Sequence, residues 1–267
     1  MPGISQMKNI LIFPGSLLKS KRDTLEQVYP GASIIPFATK SGHQIGLLFG
    51  LATGQLPSNE PFYLLYFYGN GTRLHTSSYE FAYFRQLGLN VLITEYPGYG
   101  MSSGNASEFA CYESADAAYQ YLTEIQHISS TQIIICGMSL GAAVAIDLAS
   151  RKHTAGLMAF AAFTNIPDQA AVMVPLVPKS VVRLCVKERF DNLRKIATVK
   201  CPIFIGHGTQ DELVPFAMAE KLVQAARDDG SVTFFPIQGG GHNDLFEVGG
   251  NDLRTGIQNF AMNLRQN

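Results

Sequence analysis

The 267-residue chain is 46% hydrophobic and 15% charged, and 20 basic side chains oppose 21 acidic ones to give a formal net charge of −1. This composition is typical of a globular protein. It lacks the basic surplus of nucleic-acid-binding proteins, so we expect no nucleic-acid partner. The length favours a single domain over residues 1–267. The four cysteines follow neither a disulfide pattern nor a zinc-binding spacing, and we predict no metal and no cofactor.

Eight apolar runs, rich in β-branched and aromatic residues, predict strands. In chain order they are Ser33–Ala38, His43–Phe49, Phe62–Tyr68, Val91–Glu95, Gln132–Cys136, Gly156–Phe163, Pro202–Gly206 and Val232–Ile237. Helical patterns alternate with them at Ser78–Leu87, Glu108–Ile125, Leu140–Arg151, Phe216–Arg227 and Asn251–Leu264. This alternation predicts a mostly parallel sheet of about eight strands with helices on both faces, and a site outside the carboxyl ends of the strands.

The alternation is interrupted between residues 164 and 200, where several prolines and a short amphipathic run predict a small cap over the site. Within this insertion Lys179, Arg183 and Lys187 recur at helical spacing and form a basic stripe. The ordinary interpretation of such a stripe is a solvated helix face. The alternative is peripheral contact with a membrane surface, through anionic lipid head groups, or contact with an acidic substrate.

The N-terminal region contains an apolar stretch, Ile10–Leu18, which Pro14 and Gly15 interrupt. The stretch is too short to span a bilayer and lacks a small-residue cleavage site. We therefore expect neither a signal peptide nor an anchor, and we predict a cytoplasmic location.

The pentapeptide Gly137-Met138-Ser139-Leu140-Gly141 lies between a predicted strand and a predicted helix. A serine at such a sharp turn needs small neighbours, because its hydroxyl must stand exposed while the next backbone amide points toward the same spot. The pentapeptide alone is a weak signal, but its strand-turn-helix context predicts that Ser139 is a nucleophile.

A serine nucleophile needs a base and a group that orients the base, and two later strand ends supply candidates. Asp211 follows the predicted strand Pro202–Gly206, and His242 follows the last predicted strand through a run of glycines. Three other carboxylates remain alternatives for the acid, namely Asp168, Glu212 and Asp244. His207 lies at a strand end, where a histidine is more often a packed or supporting residue than a base.

The sequence resembles the α/β-hydrolase superfamily of serine hydrolases from about Ile34 to Leu264. Its order of serine, acid and histidine is the order found in that fold. Four motifs carry the resemblance, namely Tyr68-Gly69-Asn70-Gly71, Glu95 to Gly104, the Ser139 pentapeptide and Gly241 to Leu245. They are most similar to the single-domain branch of depalmitoylase-like and esterase-like proteins. That branch usually has a structural histidine where this chain has Tyr68, which leaves the packing of that loop open.

The resemblance implies an oxyanion hole built from the backbone amide of Leu140 and an amide after the third strand, from Asn70 or alternatively Gly71. It also implies a hydrolase that cleaves an ester or thioester of a small molecule or an acylated substrate through an acyl-enzyme. The same residues would serve a peptidase or a C–C hydrolase, and a non-catalytic binding module on this fold is the remaining alternative.

Overall fold

A computed structural model describes residues 12–20, 25, 27–29, 31–56, 61–174, 176, 180–181, 186–227 and 229–265. Within these residues one sheet contains β1 (Ser33–Ala38), β2 (Gln44–Gly50), β3 (Tyr63–Phe67), β4 (Asn90–Thr94), β5 (Ile133–Met138), β6 (Gly156–Phe160), β7 (Ile203–Gly208) and β8 (Val232–Ile237). The α-helices are α1 (Ser78–Gln86), α2 (Glu108–Gln120), α3 (Leu140–Arg151), α4 (Ile166–Met173), α5 (Asn192–Ile196), α6 (Phe216–Ala225), α7 (Leu245–Val248) and α8 (Gly250–Asn263).

The strand order in the sheet is β1-β2-β4-β3-β5-β6-β7-β8. Strand β2 is antiparallel to both of its neighbours, and every other pairing is parallel. Every residue of β4, β5, β6 and β7 is buried, as expected for parallel strands that helices cover on both faces. The predicted fold class, a mostly parallel eight-stranded α/β sheet, is confirmed.

Element boundaries differ from the predictions where backbone conformation overrides the apolar pattern. The strand predicted over Gly156–Phe163 ends at Phe160, because Ala161 adopts a positive φ of 47° that an extended strand does not allow. The helix predicted over Glu108–Ile125 is α-helical to Gln120 and ends in a π-helical turn. Neither difference moves a predicted site residue away from the carboxyl edge of the sheet.

The insertion between β6 and β7 contains α4 next to the sheet edge and α5 before β7. Two members of the basic stripe, Lys179 and Arg183, lie outside the described residues, and the third, Lys187, is exposed. The cap and its membrane contact therefore stay predictions. Among the helices in the described part of the chain, none is long and apolar enough to cross a membrane.

Candidate active site

Ser139 occupies a sharp turn between β5 and α3 with φ 55° and ψ −116°. This conformation is rare for a residue with a side chain and costs on the order of 1–3 kcal/mol. A Cβ at Gly137 would overlap the Gly141 carbonyl, and a Cβ at Gly141 would overlap the Phe67 carbonyl. The two glycines of the pentapeptide are therefore steric requirements of the turn that presents the serine hydroxyl.

The structure brings the three predicted catalytic residues into one chain of contacts, here called the triad. The Ser139 Oγ lies 3.1 Å from His242 Nε2, and His242 Nδ1 lies 2.8 Å from Asp211 Oδ2. Donation from Nδ1 to the carboxylate leaves Nε2 as the acceptor that faces the serine hydroxyl. This is the tautomer that a general base for Ser139 requires.

Asp211 is held by groups on both of its carboxylate oxygens, and its side chain is fully buried. The backbone amides of Leu213 and Val214 donate to Oδ1 at 2.9 and 2.7 Å. Burial alone would raise the pKa of Asp211, but hydrogen bonds from His207, His242 and the Val214 amide outweigh it and move the pKa well below its usual range. The acid end of the triad therefore carries a negative charge at neutral pH.

His207, a residue of β7, lies next to Asp211 and is completely buried. Its Nε2 donates to the Val214 carbonyl at 2.8 Å and lies 3.4 Å from Asp211 Oδ2. Both neighbours are acceptors, so the proton of a neutral His207 belongs on Nε2. This contact is made to the same oxygen, Oδ2, that faces His242, and it gives His207 the supporting position that the sequence suggested for a histidine at this strand end.

The alternative acids have other contacts. Asp168 Oδ2 accepts from the Asn165 side chain at 2.8 Å, near the start of α4. Asp244 Oδ1 accepts from the Gly241 amide at 2.7 Å and so braces the loop that carries His242. Glu212 is exposed. Of the four candidate carboxylates, Asp211 is the one that contacts the histidine.

The segment after β3, residues 69–71, passes close to the nucleophile and is here called the oxyanion loop. A Cβ at Gly69 would lie only 3.5 Å from the Ser139 Cβ. Asn70 and Leu140 both line the cavity beside Ser139. Neither backbone amide donates to a backbone acceptor within the described residues, as a pair of oxyanion donors requires. Asn70, rather than Gly71, stays the predicted second donor because it borders the cavity.

Tyr68 stands where the related proteins usually have a histidine, and it forms a buried pair with Tyr96. Its ring centroid lies 4.8 Å from that of Tyr96 in an edge-to-face arrangement. The Tyr96 hydroxyl donates to the Tyr68 carbonyl at 2.8 Å, and the Tyr96 amide donates to the Tyr68 hydroxyl at 3.3 Å. Tyr68 and Tyr96 together fix the backbone that leads into the oxyanion loop.

Ser139 and His242 open into a cavity of about 460 Å³. Much of its wall is apolar and comes from Ile12, Met138, Leu140, Phe163, Ile166, Ala170, Met173, Leu213 and Val214. Met173 is 70% exposed and Leu213 is 48% exposed, so the apolar surface continues outward. A cavity of this size and lining suits a small apolar group held next to the serine.

The sequence profile of the dienelactone hydrolase family matches residues 102–242, which is more than half of the chain. The matched segment includes Ser139, Asp211 and His242 and begins after the oxyanion loop. The family match therefore covers the strands and loops that carry the triad.

Individual proteins resemble the chain over longer stretches. An uncharacterised protein of Mycobacterium tuberculosis is 33% identical over 174 residues, covering 65% of this chain and 60% of that protein. The α/β hydrolase domain-containing protein aho-3 of Caenorhabditis elegans is 31% identical over 188 residues, covering 70% of this chain and 54% of that protein. The matched part thus spans at most 60% of these curated relatives. An esterase of Pyrococcus furiosus has the same fold, with a TM-score of 0.74 and 16% identity over 92% of this chain and 95% of that one.

Proposed function

The chain belongs to the dienelactone hydrolase family within the α/β-hydrolase superfamily, and from that membership we propose that it is a serine hydrolase of carboxylic esters or thioesters. The observation that carries the proposal is the triad, in which 3.1 Å separates the Ser139 hydroxyl from His242 and 2.8 Å separates His242 from the buried Asp211. Ser139 and His242 of the triad line the cavity directly.

In the proposed reaction the Ser139 Oγ attacks the carbonyl carbon while His242 Nε2 accepts the hydroxyl proton. The amides of Leu140 and Asn70 stabilise the negative oxygen of the tetrahedral intermediate. His242 then gives its proton to the departing alcohol or thiol, which leaves the acyl group on Ser139. A water molecule repeats the sequence and releases the carboxylic acid. Asp211 stays ionised, holds the histidine tautomer and stabilises the imidazolium.

The apolar part of the cavity wall favours an acylated substrate. This wall lines the same cavity as Ser139, and burial of each methylene of an acyl chain there is worth about 0.8 kcal/mol. Esters and thioesters present the same carbonyl carbon to the nucleophile, so the proposal includes both. Amide or C–C cleavage by the same groups would appear as a different substrate profile.

The proposal is tested with p-nitrophenyl esters and acyl thioesters of increasing chain length, using the wild type and Ser139→Ala. We expect the substitution to lower kcat by on the order of 10⁵ to 10⁶, because the triad residues act as a unit. Ser150→Ala is the matched control, since Ser150 lies on α3 and donates only to the Asp147 carbonyl. Ester hydrolysis by Ser139→Ala at the wild-type rate would overturn the proposal.

A further inference from the structure

Residues 12–20 form an N-terminal strap that lies against the loop after β4, residues 96–100. The Leu18 carbonyl accepts from an amide of this loop at 3.0 Å, and the Lys19 ammonium donates to a carbonyl of the loop at 2.6 Å. Phe13 is completely buried, which anchors the other end of the strap in the core. The strap is thus fixed at both ends, and Ile12 at its start lines the active-site cavity.

Tyr99 connects the strap to the oxyanion loop. Gly15 packs against its ring, and a Cβ there would overlap the ring atoms. The ring centroids of Tyr96 and Tyr68 lie 5.4 and 6.2 Å away. The Tyr99 hydroxyl, at the end of this completely buried side chain, donates to Asn70 Oδ1 at 2.8 Å. The buried Tyr99 ring therefore places a hydrogen-bond donor against the Asn70 side chain.

The other half of the Asn70 side chain is held by the strap, because its Nδ2 donates to the Ile12 carbonyl. A hydroxyl donor on one side and a carbonyl acceptor on the other fix which atom of the amide is oxygen and which is nitrogen. With both halves engaged, the orientation of the side chain is fixed. The Asn70 side chain therefore joins the oxyanion loop to both Tyr99 and the strap.

We propose that the Tyr99 hydroxyl and the Ile12 carbonyl are positioning groups of the active site, which clamp the Asn70 side chain so that the Asn70 backbone amide faces the oxyanion. The strap then contributes to catalysis by positioning Asn70. This inference rests on the proposed function, since it assigns that amide to the oxyanion of the ester reaction. It predicts an effect on the transition state rather than on substrate binding.

Tyr99→Phe tests the clamp because it keeps the ring and removes only the hydroxyl. We expect kcat to fall about 10-fold with little change in KM, less than the 100-fold or more that loss of a whole oxyanion donor costs. Tyr66→Phe is the matched control. Tyr66 is a buried tyrosine of β3 whose hydroxyl has no hydrogen-bond partner among the described residues, so its kcat should stay at the wild-type value.

A double-mutant cycle separates the clamp from general packing. If the hydroxyl acts through Asn70, Tyr99→Phe should lower kcat in the wild type and have no further effect in Asn70→Ala. Gly15→Ala, which pushes the strap off the Tyr99 ring, should lower kcat in the same way. Wild-type kcat in Tyr99→Phe, equal losses in both backgrounds, or an equal loss in Tyr66→Phe would each overturn the inference.

Amide hydrogen exchange gives a second measurement that does not depend on turnover. We expect Tyr99→Phe, and not Tyr66→Phe, to speed exchange in the peptide that covers residues 69–72. If the wild type hydrolyses no ester, the proposed function fails, while faster exchange in this peptide still supports the clamp. Unchanged exchange together with unchanged kcat in an active enzyme refutes the clamp alone.

Discussion

Two buried carboxylates at the carboxyl edge of the sheet, Asp211 after β7 and Glu95 after β4, have pKa values shifted in opposite directions. The pKa of Asp211 lies well below its usual range. Burial raises the pKa of Glu95 to about 7. Both side chains are removed from water and both accept hydrogen bonds, so burial alone does not decide the charge of either.

The difference lies in the donors. Glu95 accepts from the Met101 amide at 2.8 Å, the Ser102 hydroxyl at 3.2 Å and the Leu74 amide at 3.3 Å, and these neutral groups lower its pKa only in part. Asp211 has two backbone amides and contacts with two histidines. The donors around Asp211 therefore keep its carboxylate ionised at neutral pH, whereas those around Glu95 leave its pKa at about 7.

Asp211→Asn removes the charge of the acid and should lower activity more than either His207→Phe or Glu95→Gln. The amide keeps the shape of the side chain but favours the wrong tautomer of His242, so we expect kcat to fall on the order of 10⁴. Asp168→Asn is the matched control and should retain activity near that of the wild type. A large loss for Asp168→Asn with a small loss for Asp211→Asn would assign the acid to the loop after β6.

His207→Phe removes one support of the charged acid while leaving the triad intact. Hydrogen bonds to charged groups contribute about 1.5–3 kcal/mol, so we expect kcat to fall about 10-fold with a moderate loss of stability. Steady-state kinetics and urea unfolding measure the two effects. His153→Phe, at an exposed histidine, serves as the control. Unchanged kcat in His207→Phe would show that Asp211 is held without it.

Glu95→Gln replaces the carboxyl group whose pKa is raised, and it should affect the pH dependence of stability more than activity. The folded pKa of Glu95 is raised above the ordinary value of 4.5, so its contribution to folding is complete below pH 4.5 and is lost as the pH rises toward about 7. At 1.36 kcal/mol per pKa unit, the loss amounts to about 3 kcal/mol.

Urea unfolding between pH 4.5 and 8 measures this loss. The wild type should lose free energy of unfolding over that interval, and Glu95→Gln should lack that part of the slope. Glu124→Gln, at an exposed glutamate, should keep the wild-type slope. Identical slopes in Glu95→Gln and the wild type would mean that Glu95 is ionised throughout the interval.

Much of the fold and the three triad residues could be predicted from the sequence because their signals are local. Ser139 lies between glycines at a strand-to-helix junction, and Asp211 and His242 each follow an apolar strand. The clamp could not be predicted, since Asn70 meets Tyr99 and Ile12 across 29 and 58 residues of chain, without a periodic pattern to relate them. The apolar pattern also gives no sign that β6 ends at Phe160, because residues 161–163 are as apolar as the strand before them.

Labelling with a fluorophosphonate, followed by peptide mass spectrometry, tests whether Ser139 is an activated nucleophile. These reagents phosphonylate a serine whose hydroxyl is activated by a neighbouring base. The wild type should acquire one adduct, on Ser139. Ser139→Ala and His242→Ala should stay unlabelled over the time in which the wild type is fully labelled. A folded wild-type protein that stays unlabelled at Ser139, or that is labelled on a different serine, would contradict the account.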